Sequence, residues 1–347
     1  MKRAWVLALG EDRGAKRSGL SLLRGLGGAA PIVMAAATAV GACSSTSPEQ
    51  ACADVSTAVC AKIEACAPAA ISALYGDTAT CAQRTEATCN TAIALKNNGD
   101  QAGNVEDCAK AYAGASCEGA LGNSPPKECA HKPGPLTDGT TCGAAGQCAS
   151  GVCQFDSTGC GKCIQPVGAG SNCNATSDCQ SGLVCAASSD TAAVCIAPAA
   201  SGGTCSTKLP IVPCQAGLVC DNGKCAAPLA ANSACDPSVL PTLCDQANGY
   251  FCTPRGTRCI LAIAAGTGQA CGYNATTGDY SYCTGSGFCG NVDQQTGMGT
   301  CIAAVTEGAA CDLAKGPLCL PPAACVLAPV DGGTAGTCTL KDPASCQ

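Results

Sequence analysis

CNATSDCQSGLVC, residues 173–185, decides how this chain is read. Five residues separate each cysteine from the next, and the spacers, NATSD and QSGLV, are mostly small or polar, with Leu183 and Val184 their only large apolar side chains. No helical or strand period can bury a core from such a stretch, so any order in it comes from crosslinks. The same texture extends outward in both directions. Units begin at Cys142, Cys173, Cys205, Cys235, Cys271 and Cys311, at intervals of 31, 32, 30, 36 and 40 residues. Most carry Gly-x-x-Cys at the start and a glycine on the approach to the third cysteine: SGVC153, SGLVC185, AGLVC220, NGYFC252 and SGFC289, with PPAAC325 degenerate. This is a tandem repeat whose unit is too small to bury a core alone. Two bridges per unit, each closing a loop of roughly 10 to 20 residues, contribute on the order of 3 kcal/mol apiece in the loop-entropy picture. First-to-third and second-to-fourth pairing is the expectation within a unit, although spacing alone does not determine it. Short β-hairpins, with turns such as Asp221-Asn222-Gly223, are the expected local structure. Cys160 and Cys346 are extra to the four-cysteine pattern.

Composition agrees. The 347 residues include 35 cysteines, and the only Trp is Trp5. Beyond residue 43 there are six Tyr and three Phe, so the 47% hydrophobic content is mostly Ala and Cys, which bury little area each. Disulfides at this density persist only in an oxidising compartment, so the chain is expected to be exported. Residues 1–42 carry six Lys/Arg against two Asp/Glu, whereas the remainder carries 13 against 23. An acidic mature chain argues against nucleic acid as a partner.

The leader has a basic start (Lys2, Arg3, Arg13, Lys16, Arg17, Arg24), an apolar stretch from about Gly25 to Ala42, and small residues before Cys43. This is a signal-peptide layout over 1–42. Val40-Gly41-Ala42-Cys43 resembles a bacterial lipobox. That resemblance implies cleavage before Cys43, a diacylglycerol on its thiol and acylation of the new amine, with 43–48 as a lipidated tether to the outer membrane or cell surface. Two or three acyl chains anchor stably where one does not. The alternative is an ordinary signal peptide with Cys43 in a disulfide. Parity favours the anchor, because the other 34 cysteines then pair with none left over.

Residues 49–130 read differently, as an all-α disulfide domain. Ser47-Pro48-Glu49-Gln50 is a capping-box start with Pro in the first turn. Val55, Val59 and Ile63 recur on one helical face. A second helix is expected to begin after Asp77 and run to about Lys96, ended by Asn97-Asn98-Gly99, and a third from Asn104 to Ala113. Cys52 and Cys60, then Cys81 and Cys89, lie a little over two turns apart, so an antiparallel helix pair stitched by two bridges would satisfy all four. HKPGPLTDG, 131–139, reads as a Pro/Gly linker, with the only histidine, His131, as an exposed linker residue. The fold class is thus small and disulfide-rich: an N-terminal all-α disulfide domain followed over 140–347 by about six small β-hairpin cysteine-rich modules.

Cys142-x5-Cys148-x4-Cys153-x6-Cys160-x2-Cys163, with CNATSDCQSGLVC and CQAGLVCDNGKC (214–225), resembles the Dickkopf N-terminal cysteine-rich domain. No adjacent Cys-Cys pair occurs and that family's basic insert is absent, so the resemblance implies architecture and not that family's signalling role. The whole layout is also similar to cysteine-rich lipoproteins of gliding soil bacteria.

Catalytic chemistry finds little support. CGKC, 160–163, has redox-motif spacing but lacks the surrounding α/β pattern that would lower a thiol's pKa. One CxxC does not make a zinc site. One His, with no GxSxG, does not make a nucleophile–base pair. No enzyme activity, cofactor or metal is expected. Six of the nine aromatics beyond the leader lie between Tyr250 and Phe288. Phe251 and Phe288 align with Val152, Val184 and Val219 and read as module cores, which leaves Tyr250, Tyr273, Tyr280 and Tyr282 as candidate binding residues. Asn174-Ala-Thr and Asn274-Ala-Thr match the glycosylation pattern. The leading function is a non-enzymatic envelope lipoprotein with a structural, adhesive or ligand-binding role toward a protein or glycan. The alternative is a secreted protease inhibitor or receptor-like module.

Overall fold

The computed structural model describes residues 46–122, 124–156, 159–236, 243–253, 257–327 and 333–346. The leader and Cys43 lie outside them. The described chain is a helical region followed by small antiparallel strand pairs, disulfide-bonded throughout: 17 bridges take up 34 of the 35 cysteines.

Helix α1, Pro48–Cys66, starts where its cap predicts, the Ser47 hydroxyl accepting from Gln50 N–H at 3.2 Å. Helix α3, Thr78–Ile93, is capped by Asp77, which accepts from Thr80 N–H at 2.6 Å. It ends before Asn97, whose φ of +63° reverses the chain. Helix α4 is Ala102–Gly114. Cys52–Cys89 and Cys60–Cys81 stitch α1 to α3 in antiparallel register, as the paired spacing implies. The buried stripe of α1 differs from the expected valine face: Ala51, Cys52, Ser56 and Cys60 are buried, while Val55 and Val59 are only half-buried. The helix is gripped by its sulfurs, so the bridges, not the aliphatic period, orient it. Two short helices carry no long period and are not anticipated by the sequence reading: α2, Pro68–Tyr75, and α5, Cys117–Leu121, the latter capped by Ser116. Cys66–Cys117 ties α1 to α5, and Cys108–Cys129 closes the region.

All six repeat units obey one pairing rule, first with third and second with fourth cysteine. The reason is visible in the register. Each unit ends in an antiparallel hairpin in which the third and fourth cysteines face each other: Cys153 and Cys163, Cys185 and Cys195, Cys220 and Cys225, Cys252 and Cys259, Cys289 and Cys301, Cys325 and Cys338. Facing residues project to the same side of a hairpin. The two bridges therefore stack side by side and are themselves the core. In the first unit that core is Cys142, Cys148, Cys153 and Cys163, all buried. The hairpin at Asp221-Asn222-Gly223-Lys224 has φ of +46° at Asn222 and +78° at Gly223, the two-residue turn expected from that sequence.

Gly-x-x-Cys has an equally local cause. Gly139, Gly170, Gly202, Gly268 and Gly308 all have φ between +77° and +82°, and the exception, Asn232, has φ of +62°. Asn is the non-glycine residue that best tolerates this region. Each of the six donates its N–H to the carbonyl of the fourth cysteine, at 2.7 to 2.9 Å. Three residues earlier, one apolar residue pairs in parallel with the second cysteine: Leu136, Val167, Ala199, Leu229, Ala265 and Val305. The stretch read as linker is consequently hydrogen-bonded along its length. His131 Nδ1 lies 2.6 Å from Asp100 Oδ2, and Gly134 N–H donates to Cys148 O at 3.0 Å.

The units turn back around the helices. Gln147, fully buried in the first unit, donates to Lys96 O at 2.7 Å. Arg84 of α3 reaches the sixth, with Nη1 donating to Glu307 at 2.9 Å, a second contact to the same carboxylate, and Nε donating to Pro321 O at 2.8 Å. The two extra cysteines bond to each other, so Cys160–Cys346 joins the first unit to the C-terminal tail across 186 residues and closes the array covalently.

Candidate functional site

Two of the candidate tyrosines, Tyr280 and Tyr282, lie at the seam where α2 meets the fourth and fifth units, with Tyr273 opposite Tyr280 in its strand pair. Gly285 and Ser286 donate their N–H groups to Ser72 O and Ala73 O, at 2.9 and 2.6 Å, and the Ser286 hydroxyl donates to Leu74 O at 2.9 Å. This fixes α2 on the fifth unit. Against it, Tyr282 and Ala262 are buried with Ala73, Phe251, Ala264 and Tyr280 packed around them. The Phe251 and Tyr280 rings are tilted at 6.1 Å between centroids, a favourable aromatic geometry.

The four tyrosines are not equivalent. Tyr282 is 3% exposed and has no surface to offer a partner. Burial raises its phenol's pKa; the Ser72 hydroxyl offsets part of the shift, and the nearby Glu64 carboxyl adds to it. Its hydroxyl has no partner of normal hydrogen-bond geometry among the described residues. Tyr250 is half-buried on the sulfurs of its own unit, Cys244, Cys252 and Cys259. Tyr280 and Tyr273 face each other across an antiparallel pair, both half-buried. Parts of Tyr250, Tyr273 and Tyr280 are thus accessible, of which only Tyr280 belongs to the seam cluster.

Phe251 and Phe288 occupy a different place from the one their alignment suggests. Phe251 packs across the seam. Phe288 lies over Gly316 of the sixth unit, where a Cβ would fall 2.8 to 2.9 Å from its atoms. Disulfides already fill the unit cores, so the larger apolar side chains are used between units. Nothing in the local spacing distinguishes those two uses.

Other features offer less chemistry. Groups of three sulfurs within 4.8 Å recur, as at Cys142, Cys148 and Cys163. They belong to stacked disulfides and present no thiolate to an ion. The CGKC cysteines are split between two bridges, Cys148–Cys163 and Cys160–Cys346. Asn274 accepts from Thr276 and Thr277 N–H, which makes its glycosylation-type tripeptide a tight turn. An open depression of about 580 Å³ is lined by Asn97, Thr140, Thr141, Ser345 and the Cys160–Cys346 pair. A smaller one, about 300 Å³, lies between Phe288 and Lys315. Among the described residues no helix is long and apolar enough to cross a membrane.

These features define a disulfide-locked protein of an oxidising compartment, with inter-unit seams in place of one large core. The chain is similar to Cell-cell adhesion glycoprotein 64 of Heterostelium pallidum, at 27% identity over 177 residues, covering 42% of this chain. It spans about half the length of that protein, 53%. No family model and no solved structure matches the chain.

Proposed function

We propose that the chain is an exported, non-enzymatic cell-surface protein that mediates adhesion by binding a protein or glycan, and that a lipid on Cys43 holds it to the outer membrane. The similarity to an adhesion glycoprotein carries the adhesive part of this reading. The parity of the cysteines supports the anchor: 17 bridges take up 34 of the 35 cysteines and leave Cys43 over, and it stands at the end of the lipobox-like string. The Dickkopf-like spacing is taken as shared architecture and brings no partner with it. In this reading the signal peptide is 1–42, the tether 43–48, and the accessible edges of Tyr250, Tyr273 and Tyr280 are the contact residues.

Beads coated with the full mature chain should aggregate with one another or with cells of the source organism, and Tyr273→Ala should weaken the aggregation. Beads that stay dispersed under all such conditions would refute the adhesive role. Intact mass spectrometry of the membrane-extracted protein should show di- or triacylation at Cys43; an unmodified or disulfide-bonded Cys43 would refute the anchor.

A further inference from the structure

We infer that Cys160–Cys346 is an exchangeable latch, a bridge that an external dithiol opens selectively to release the closed array. Three observations converge on it. First, it does work that no other bridge does. Its sulfurs are separated by 186 residues, whereas the next longest span, Cys66–Cys117, is 51. The repeat-unit bridges, which span 11 to 19 residues, are packed against a second bridge in a buried core; this one lies outside the first unit's core. Second, it is reachable. Both cysteines line the open 580 Å³ depression, and Cys160 is only half-buried. Third, an ammonium lies beside it, although Asp156 and Asp342 are carried on the same two segments. Gly159, at φ +74°, lets the Lys341 chain lie across the turn: a Cβ built at 159 would fall 2.8 Å from Lys341 Nζ. Lys162 is exposed two residues beyond Cys160. A nearby ammonium stabilises the Cys160 thiolate, which is the group released when the mixed disulfide resolves.

The step balances as ordinary thiol–disulfide exchange. A dithiol's thiolate attacks the accessible Cys160 sulfur, the S–S bond breaks, and Cys346 departs as the thiolate. The dithiol's second sulfur then attacks the mixed disulfide and releases Cys160 as a thiolate beside Lys341. One protein disulfide becomes two thiols and one dithiol becomes a disulfide. Opening frees the tail, Pro343–Cys346, from the first unit and from α3, while every unit keeps its own two bridges.

Graded dithiothreitol treatment of the full chain, quenched with iodoacetamide and mapped by peptide mass, tests this. Cys160 and Cys346 should be alkylated at a dose that leaves the other bridges closed, and the hydrodynamic radius should rise at that dose. Lys341→Gln should slow the labelling roughly 2- to 5-fold, the effect of one exposed charge. Opening of any other bridge at the same or a lower dose overturns the proposal, and Cys66–Cys117, whose Cys117 is exposed, is the most stringent comparison. So does selective opening without a change in radius, or a Lys341→Gln rate equal to that of the native chain.

Discussion

The glycine three residues before the first cysteine in five of the six units permits a test in which backbone strain is isolated from packing. Gly170 has φ of +82°, and a Cβ built on it meets nothing within 4 Å. The same open space surrounds Gly139, Gly202, Gly268 and Gly308. Gly170→Ala therefore adds no clash. It costs only the left-handed conformation, about 1–2 kcal/mol, offset in part by about 0.4–1 kcal/mol from the less flexible unfolded chain. The net is about 1 kcal/mol, or roughly a fivefold rise in local opening. Gly170→Asn should be close to neutral, because Asn232 already occupies this position in the fourth unit at φ +62°. Gly161 supplies the contrast. Its Cβ would fall 2.5 Å from Cys153 Sγ and 2.7 Å from Gln154 O, so both Ala and Asn should disrupt the hairpin, by roughly 1–3 kcal/mol of overpacking. Hydrogen exchange read by mass spectrometry, with all bridges intact, reports these changes at the amides bonded within each unit, such as Gly170 N–H to Cys195 O at 2.8 Å. A silent Gly170→Ala, or a Gly170→Asn as damaging as Gly170→Ala, would refute the reasoning.

Other consequences are equally direct. Arg84→Met removes two carboxylate contacts and a bond to Pro321 O from a side chain 12% exposed; exchange in the sixth unit should rise by an amount equivalent to about 2 kcal/mol, with little change in the second unit. Tyr282→Phe should leave stability within about 1 kcal/mol of native, since the lost hydroxyl has no well-formed bond, whereas Tyr282→Ala should cost about 3–5 kcal/mol by thermal unfolding. The Arg84 hydrogen bonds hold the Glu307 carboxyl below its ordinary value. Burial alone would raise Asp100, but His131, Lys132 N–H and Asn104 outweigh it and keep it low as well. Both contributions are thus complete above the unfolded carboxylate values, near 4, and are lost as pH falls through the lowered folded values. An acid titration should loosen the sixth unit and the 131–134 stretch at lower pH than free carboxylates titrate; loosening that begins above pH 6 would contradict this.

What the sequence determined by itself is what neighbouring residues decide: the repeat, the hairpins and the caps at Ser47 and Asp77, because turn and cap chemistry acts over a few positions. The first-to-third and second-to-fourth pairing was an expectation that the spacing left open, and the hairpin register, which sets the third cysteine opposite the fourth, decided it. The helix stitching at Cys52–Cys89 and Cys60–Cys81 was legible in part: equal spacings on two helices fit either relative direction, and it is the short connection between α1 and α3 that favours the antiparallel one. The tertiary structure alone decided which side chains join distant segments. Arg84 meets Glu307 across 223 positions, Phe288 covers Gly316 of the next unit, Tyr282 is buried beneath α2, and Cys160 finds Cys346. Such contacts leave no period and no motif in the chain. With disulfides already filling each unit's interior, the few large apolar residues are free to serve either as contact surface or as seam, and only the packing of one unit on another separates the two.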